Sequence, residues 1–481
     1  MRKMLILFVI VAISTSVNAQ QKWNLKSIVD YAMANNINVK LTDVQAKVAA
    51  INLNQSKQSL YPNASFNTNT GLNSGNNQDP TTFQRITQTY LNAGFQLQTS
   101  VDIFNFYSKR NTIAANEWEA KASNASTDKV KNDIALSAAN AYLNILLSKS
   151  QEDITAVQIQ QTQAQLTNTR KQVSAGALPE LNATQLEAQL AQDSVNYISA
   201  KGNTTLAILT LKAFMNLDAG AVFEVDTPPV DKIPVEPIGN LQPDFVYDLA
   251  LKNLPQQRVN DFKLKAAEKN VQVAKAGFYP SLTGFGSLGT SYIAARSAAV
   301  EPVFNGYKSS GLIVQPSSGV VYDVLQPDIT TRKTGGYFKT ANFTKQLSDN
   351  FQKGIGISIR MPIFTGGSAK ANFERSKLNI TSLSLQKEQD NQKLKQDIYQ
   401  AYNTALIALE KFTASKKSVD INELNLTYAS KRFNVGMLTG FELITTQNNL
   451  LRAKLQYTQN QFDYVFKMKV LEFYKGMGLR L

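Results

Sequence analysis

The string Gly284-Phe285-Gly286-Ser287-Leu288-Gly289 has the G-x-G-x-x-G spacing that cradles a phosphate when it joins a strand to a helix. The chain after residue 289 is loop-like, with Pro302 and Pro316. No helix N-terminus then faces the turn, and no dinucleotide site is expected. Glycines packed close to a strand wall explain the string. The other side chains that carry chemistry are missing. The 481-residue chain contains no His and no Cys. That excludes disulfides, zinc sites built on imidazole or thiolate, a Ser-His-Asp triad and a Cys-His dyad. Metal chemistry would rest on carboxylates alone, and no acid pair stands out at a fixed spacing. The expectation is a protein without catalytic residues, cofactor or metal, and not an enzyme.

Charge is the next candidate for function. Lys and Arg number 50 against 36 Asp and Glu, a formal charge of +14. The cations come in pairs, such as Lys109-Arg110, Arg170-Lys171, Lys416-Lys417 and Lys431-Arg432, with no run of three. A nucleic-acid surface would cluster them and interleave aromatics. A solvated face on long helices is expected instead, with no nucleic-acid partner. Arg2 and Lys3 precede an apolar run from Met4 to Ile13, and Val17-Asn18-Ala19 supplies short residues for cleavage. Residues 1–19 therefore read as a secretory signal peptide, since the run is too short to span a core of ~30 Å. Beyond it no stretch approaches the ~18 apolar residues of a spanning helix. An exported chain of this kind is either soluble or inserted as a β-barrel.

The elements that would position any function appear twice. Ala32, Asn35, Asp43, Lys47 and Ala49 recur as Ala250, Asn253, Asp261, Lys265 and Ala267. Tyr61-Pro62 recurs as Tyr279-Pro280, Val101-Asp102-Ile103-Phe104 as Met361-Pro362-Ile363-Phe364, Gly176 as Gly436, and Met215 as Met477. Order is kept, with one insertion between Pro280 and Gly354. The expected domains are a first repeat over 20–217, a Pro-rich extended linker over 218–242, and a second repeat over 243–481. Each repeat has a leading helix (about 25–59 and 243–277), two alternating segments, and a long helix with a turn and a return. From Asn105 to Ala175, and from Ser368 to Val435, there is no Gly or Pro. Such helices must pack laterally, as coiled-coil-like pairs. Leu91 to Ile103, Ala64 to Leu72 and Ile355 to Ile363 alternate apolar with polar residues, as strands with one face to lipid do. Leu282 to Tyr292 is less regular. Four strands cannot close a barrel, and an open edge in lipid costs several kcal/mol per unpaired group. Several chains must share one barrel: two would give eight strands and three twelve. The insertion, about 293–350, is expected to form an extracellular loop or plug.

With these features the chain resembles the TolC family of outer-membrane efflux channels. The resemblance rests on the duplicated layout, the two Tyr-Pro pairs, Met361-Pro362-Ile363-Phe364-Thr365-Gly366-Gly367 before a long helix, and Val435-Gly436-Met437-Leu438-Thr439 at a turn. The first copy departs from it, with Asn105-Phe106 where the second has Thr365-Gly366. The resemblance implies a mainly α fold with a membrane β-barrel part. Long helical hairpins from both repeats would cross the periplasm, and each repeat would give two strands to a shared trimeric twelve-stranded barrel. It implies a passive exit duct in the outer membrane of a Gram-negative cell, docked at its helical tip to a periplasmic adaptor and an inner-membrane pump. Adaptor docking would involve Gly176, Leu178, Val435, Gly436, Leu438 and Thr439. Gly176 and Gly436 also suit helix C-caps. A pore constriction would involve Glu442, Thr445 and Phe433. In the family an acid stands at the Glu442 position and a second at that of Thr445, so a single acidic ring is implied. Asn182 occupies the matching place at the first tip, with Glu180 the nearest acid. Glu442 equally suits the first turn of a helix, where its charge favours the dipole. Phe433 stands where the family often has a Tyr that ties the tip closed. The alternative to a duct is an exported soluble coiled-coil scaffold or adaptor.

Overall fold

The computed structural model describes residues 22–78, 85–230, 233–295, 297–338 and 342–476. The expected signal peptide and Met477 lie outside them. In chain order the helices and strands of the first half are α1 (Leu25–Asn35), α2 (Ile37–Gln58), β1 (Asn63–Gln78), β2 (Arg85–Phe104), α3 (Ser108–Ser174) and α4 (Glu180–Met215). The second half contains α5 (Pro243–Asn253), α6 (Pro255–Ala276), β3 (Ser281–Ala295), β4 (Ser297–Val314), β5 (Tyr322–Phe338), α7 (Phe343–Asp349), β6 (Gln352–Arg360), α8 (Ser368–Asn434) and α9 (Gly440–Tyr474). The residues divide into two compact units, one of helices and one built on the strands. Both halves of the sequence contribute to each.

Helices α3 and α8 each run 67 residues, roughly 100 Å at the α-helical rise. Absence of Gly and Pro permits that length, and Ala at buried positions such as Ala138, Ala139 and Ala405 lets neighbouring backbones approach. The leading helix is broken in both halves, where one continuous helix is expected from composition. Asn36 leaves helical geometry, and its side chain accepts from Asn38 N–H and donates to the Phe214 carbonyl. At the matching place Leu254 is extended because it precedes Pro255. Asn253 there donates to the Lys475 carbonyl. In each half the break ties the leading helix to the end of the returning one.

Two large cores lie in the helical unit. Ile28, Ala32, Ala138, Ala141, Ile145 and Leu211 belong to the first. Val246, Ala250, Ile398, Ala401, Ala405 and Leu471 occupy corresponding places in the second. A fully buried side chain of Leu or Ile size contributes about 1.5–3 kcal/mol.

The linker is extended, as its prolines require, but it is strapped down rather than free. Val225 bridges Trp23, with Trp23 N–H donating to Glu224 and Asp226 N–H to Trp23. The Tyr142 hydroxyl donates to the Asp226 carbonyl at 2.8 Å, and burial pushes that phenol up to about 12. Lys212 donates to the carbonyls of Ala219 and Ala221. Leu241 is fully buried in the second core. Glu472 accepts from Glu236 N–H and pairs with Lys469 at 2.8 Å, while Lys475 pairs with the Glu236 carboxylate at 2.9 Å.

The strands form a four-stranded antiparallel sheet in the order β1-β2-β3-β6. Its register sorts the side chains by face. Phe66, Leu97 and Leu288 fall in one row, and Thr99, Gly286 and Ile355 in another. The opposite face holds Ser65, Gln98, Ser287 and Gly354, then Asn67, Gln96, Gly289 and Gln352. The sheet ends at Arg360, so Met361, Pro362 and Ile363, expected to continue the strand, lie beyond it. The six glycine-spaced residues 284–289 lie inside β3. A Cβ at Gly284 would stand 3.2 Å from Ile103 and one at Gly286 3.1 Å from Thr99, so these glycines make room for the neighbouring strand.

The insertion is more ordered than a loop. Strands β4 and β5 form a separate hairpin, in which Phe304, Tyr307, Leu325 and Ile329 share one face. Glu301–Arg332 and Lys308–Asp328 pair on the other. Helix α7 covers the edge of β3 that β6 does not reach. The Gln346 side chain accepts from Ile293 N–H and donates to its carbonyl, and Asn350 donates to the Ser291 carbonyl. Side-chain amides complete the ladder there.

Candidate functional site: the helical tips and the open sheet

Each long helix ends in the same device. Gly176 and Gly436 have φ of +71° and +76°. Ala177 N–H returns to the Gln172 carbonyl and Gly176 N–H to Val173; Met437 N–H returns to Arg432 and Gly436 N–H to Phe433. These are Schellman closures, in which glycine takes a left-handed conformation that other residues resist.

The second tip then starts α9 with a capping box. Thr439 Oγ1 accepts from Glu442 N–H at 3.3 Å, while Thr439 N–H and hydroxyl donate to Glu442 Oε2 at 2.9 and 2.8 Å. The spacing Thr439-Gly440-Phe441-Glu442 carries that signal in the sequence. Donation from the Thr439 backbone and then its hydroxyl, with Arg432 nearby, holds the Glu442 carboxyl below the usual carboxylate range. Glu442 is exposed and ionised. Thr445 is exposed, and its hydroxyl donates to the Phe441 carbonyl. Phe433 is buried.

The two hairpins pack together behind the tips. Leu166, Ala183 and Leu186 form a small core that Val173, Leu190 and Ile444 join. Gly440 lies against α4: a Cβ there would stand 3.1 Å from Asn182 and 3.3 Å from Gln185. Gln189 and Asn448 exchange hydrogen bonds at 3.2 and 3.1 Å. Gln189 also donates to Asp193, which accepts from Thr162 at 2.6 Å. Leu178 and Leu438, which the resemblance implies as docking residues, are half-buried. The apolar side chains left open are Met437 at 71 %, Val435 and Phe441 at 67 %, and Leu181 at 64 %. Sequence reasoning missed Met437, Phe441 and Leu181. Phe441 and Leu181 sit in the first turn of a returning helix, on the side turned away from the Leu443 and Ala183 contacts.

The sheet is the other open surface. Among the described residues, β1 and β6 each have one edge without a partner strand. On the apolar face Ile355 is 94 % exposed, and Ile357, Ile359, Phe66 and Leu72 are exposed as well. A soluble scaffold would not leave such a face open. No helix among the described residues is long and apolar enough to cross a membrane. Among the same residues no group of His, Cys, Asp or Glu could hold a metal ion.

The family described as outer membrane efflux protein matches residues 28–217 and 246–466. The chain belongs to that family. It is 20 % identical over 473 residues to the outer membrane protein TolC of Escherichia coli strain K12, covering 97 % of this chain and 84 % of that one. The fold superposes on CusC, a transmembrane channel protein, with a TM-score of 0.72 at 15 % identity, covering 97 % and 96 % of the two chains. For VceC of Vibrio cholerae the TM-score is 0.70 at 15 % identity, covering 95 % and 97 %. The chain is thus an exit duct of the outer membrane with a periplasmic helical extension, of the kind that serves tripartite efflux systems. The family consists of channel proteins rather than enzymes.

Proposed function

We propose that three copies close one twelve-stranded barrel, and that their helical tips dock a periplasmic adaptor joined to an inner-membrane pump. The two repeats, 20–217 and 243–481 about the linker 218–242, act as equivalent halves of each copy. The observation that carries this reading is the sheet with two open edges. Its neighbours are all antiparallel, so β1 and β6 run in opposite directions. The β6 edge of one copy can then pair antiparallel with the β1 edge of the next, a head-to-tail contact that closes a ring. The apolar face meets lipid and the polar face lines the lumen. Ile357→Arg should then cost about 2–4 kcal/mol in folding into vesicles, and Ser358→Arg close to nothing. Equal effects in a urea titration would mean that the faces are assigned wrongly.

Three Glu442 carboxylates around an aqueous constriction would concentrate cations and repel anions. Glu442→Gln should lower cation preference, read as the reversal potential under a salt gradient. An unchanged potential removes Glu442 from the constriction. Because the folded pKa is depressed, the stabilisation from the capping box is complete above the ordinary carboxylate value of about 4.3. It is lost only as pH falls through the lower folded value. Cation preference should persist through pH ~4.3 and fade below it. Gly176, Leu178, Val435, Gly436, Leu438 and Thr439 shape the docking tip, with Thr445 and Phe433 beside the constriction.

A further inference from the structure

The polar face of the sheet carries a feature that the duct reading does not require. Charged residues make up 18 % of the chain. Yet from the row Asn63–Ser100–Phe285–Gly356 to the row Asn73–Tyr90, no residue on that face bears a formal charge. Carboxamides take their place: Asn67, Asn69, Asn73, Asn92, Gln96 and Gln98. Asn67 and Gln96 share a row, and Asn73 donates to Asn92 at 2.6 Å. Just outside this band Asp102 is neutralised by Lys109 at 2.9 Å. Phe285 stands alone as an aromatic at the Ser100 row. Its ring lies over Gly356, where a Cβ would come within 2.6 Å of it, and it is 45 % exposed.

A carboxamide offers both donor and acceptor. A wall of them can hydrogen-bond hydroxyl and amide groups without selecting charge, whereas a charged ring would hold counterions. The glycines at 94, 289, 354 and 356 keep the wall low between these groups, and Phe285 adds an apolar face on which a ring can stack. We propose that the barrel lumen is a neutral hydrogen-bonding surface for uncharged cargo rich in hydroxyl or amide groups. Ion discrimination is left to the helical tip. The proposal rests on the duct reading, in which the polar face lines the lumen.

The experiment is current blockade of the reconstituted full-length oligomer by maltohexaose, compared with a polyethylene glycol of matched length. Maltohexaose should show the longer residence. Removing two hydrogen-bonding groups with Asn67→Leu and Gln96→Leu should shorten that residence roughly tenfold. Asn67→Asp and Gln96→Glu preserve shape, and they should raise the cation preference above that of the parent oligomer. Equal residence of the two probes, or residence unchanged by the Leu pair, would overturn the proposal while leaving the duct intact. Absence of any current from folded oligomer would overturn the duct itself, and this inference with it.

Discussion

Met437→Asp combined with Phe441→Asp should abolish export while leaving folding and assembly unchanged. Both side chains are open to solvent at the second tip. Neither belongs to the small core of Leu166, Ala183 and Leu186 that holds the hairpins together. Covering two such side chains with a docked partner contributes about 1.5–3 kcal/mol each. Their loss alone weakens docking by roughly a hundredfold or more, before the cost of burying two new carboxylates. Efflux of a dye from whole cells reads the effect, with detergent-extracted oligomer measured alongside. Normal export by intact oligomer would mean that the tip is not the docking surface. Leu178 and Leu438 are weaker choices for the same test, since both are half-buried within the chain.

Glu472→Ala should destabilise the helical unit by about 3–5 kcal/mol, because it leaves an uncompensated buried charge. Lys469 and Glu472 are 3 % and 5 % exposed and meet at 2.8 Å. The same carboxylate accepts from Glu236 N–H, so the substitution also unties the linker from α9. Replacing both members of the pair, Lys469→Met with Glu472→Leu, should recover most of the loss, since an apolar pair needs no desolvation of charge. Urea titration followed by helix content distinguishes the two. A single variant as stable as the parent would show that the linker strap contributes nothing.

Much of this architecture is visible in the residue order because it follows from local rules. About seventy positions without Gly or Pro leave little choice but long helices, and both end at Gly176 and Gly436 as a left-handed cap demands. Period-two alternation marks the strands and the faces they present. Pairing order and register needed coordinates, since they depend on residues far apart in the chain. The break at Asn36 was hidden because it is built from a tertiary hydrogen bond to Phe214; its counterpart was passed over in reading 243–277 as one helix, although Pro255 marks it. The linker's prolines showed extension but not the contacts of Asp226, Glu236 and Leu241 that fasten it. At the tips, the resemblance pointed to Leu178 and Leu438, but the path of each turn decides which side chains stay exposed. The turn after Gly436 leaves Met437 open and Leu438 partly covered, and the phase of α9 turns Phe441 outward. Glu442 had two candidate roles, one implied by the resemblance and one by its place in the first turn of a helix; the capping box with Thr439 establishes the local one, and its exposed carboxylate is compatible with the pore.

One chain supplies only part of a barrel. Native mass spectrometry of the protein released from detergent micelles tests it most directly. A single species of three chains that falls apart only when the sheet unfolds is expected. A folded, stable monomer with its β1 and β6 edges free would contradict it.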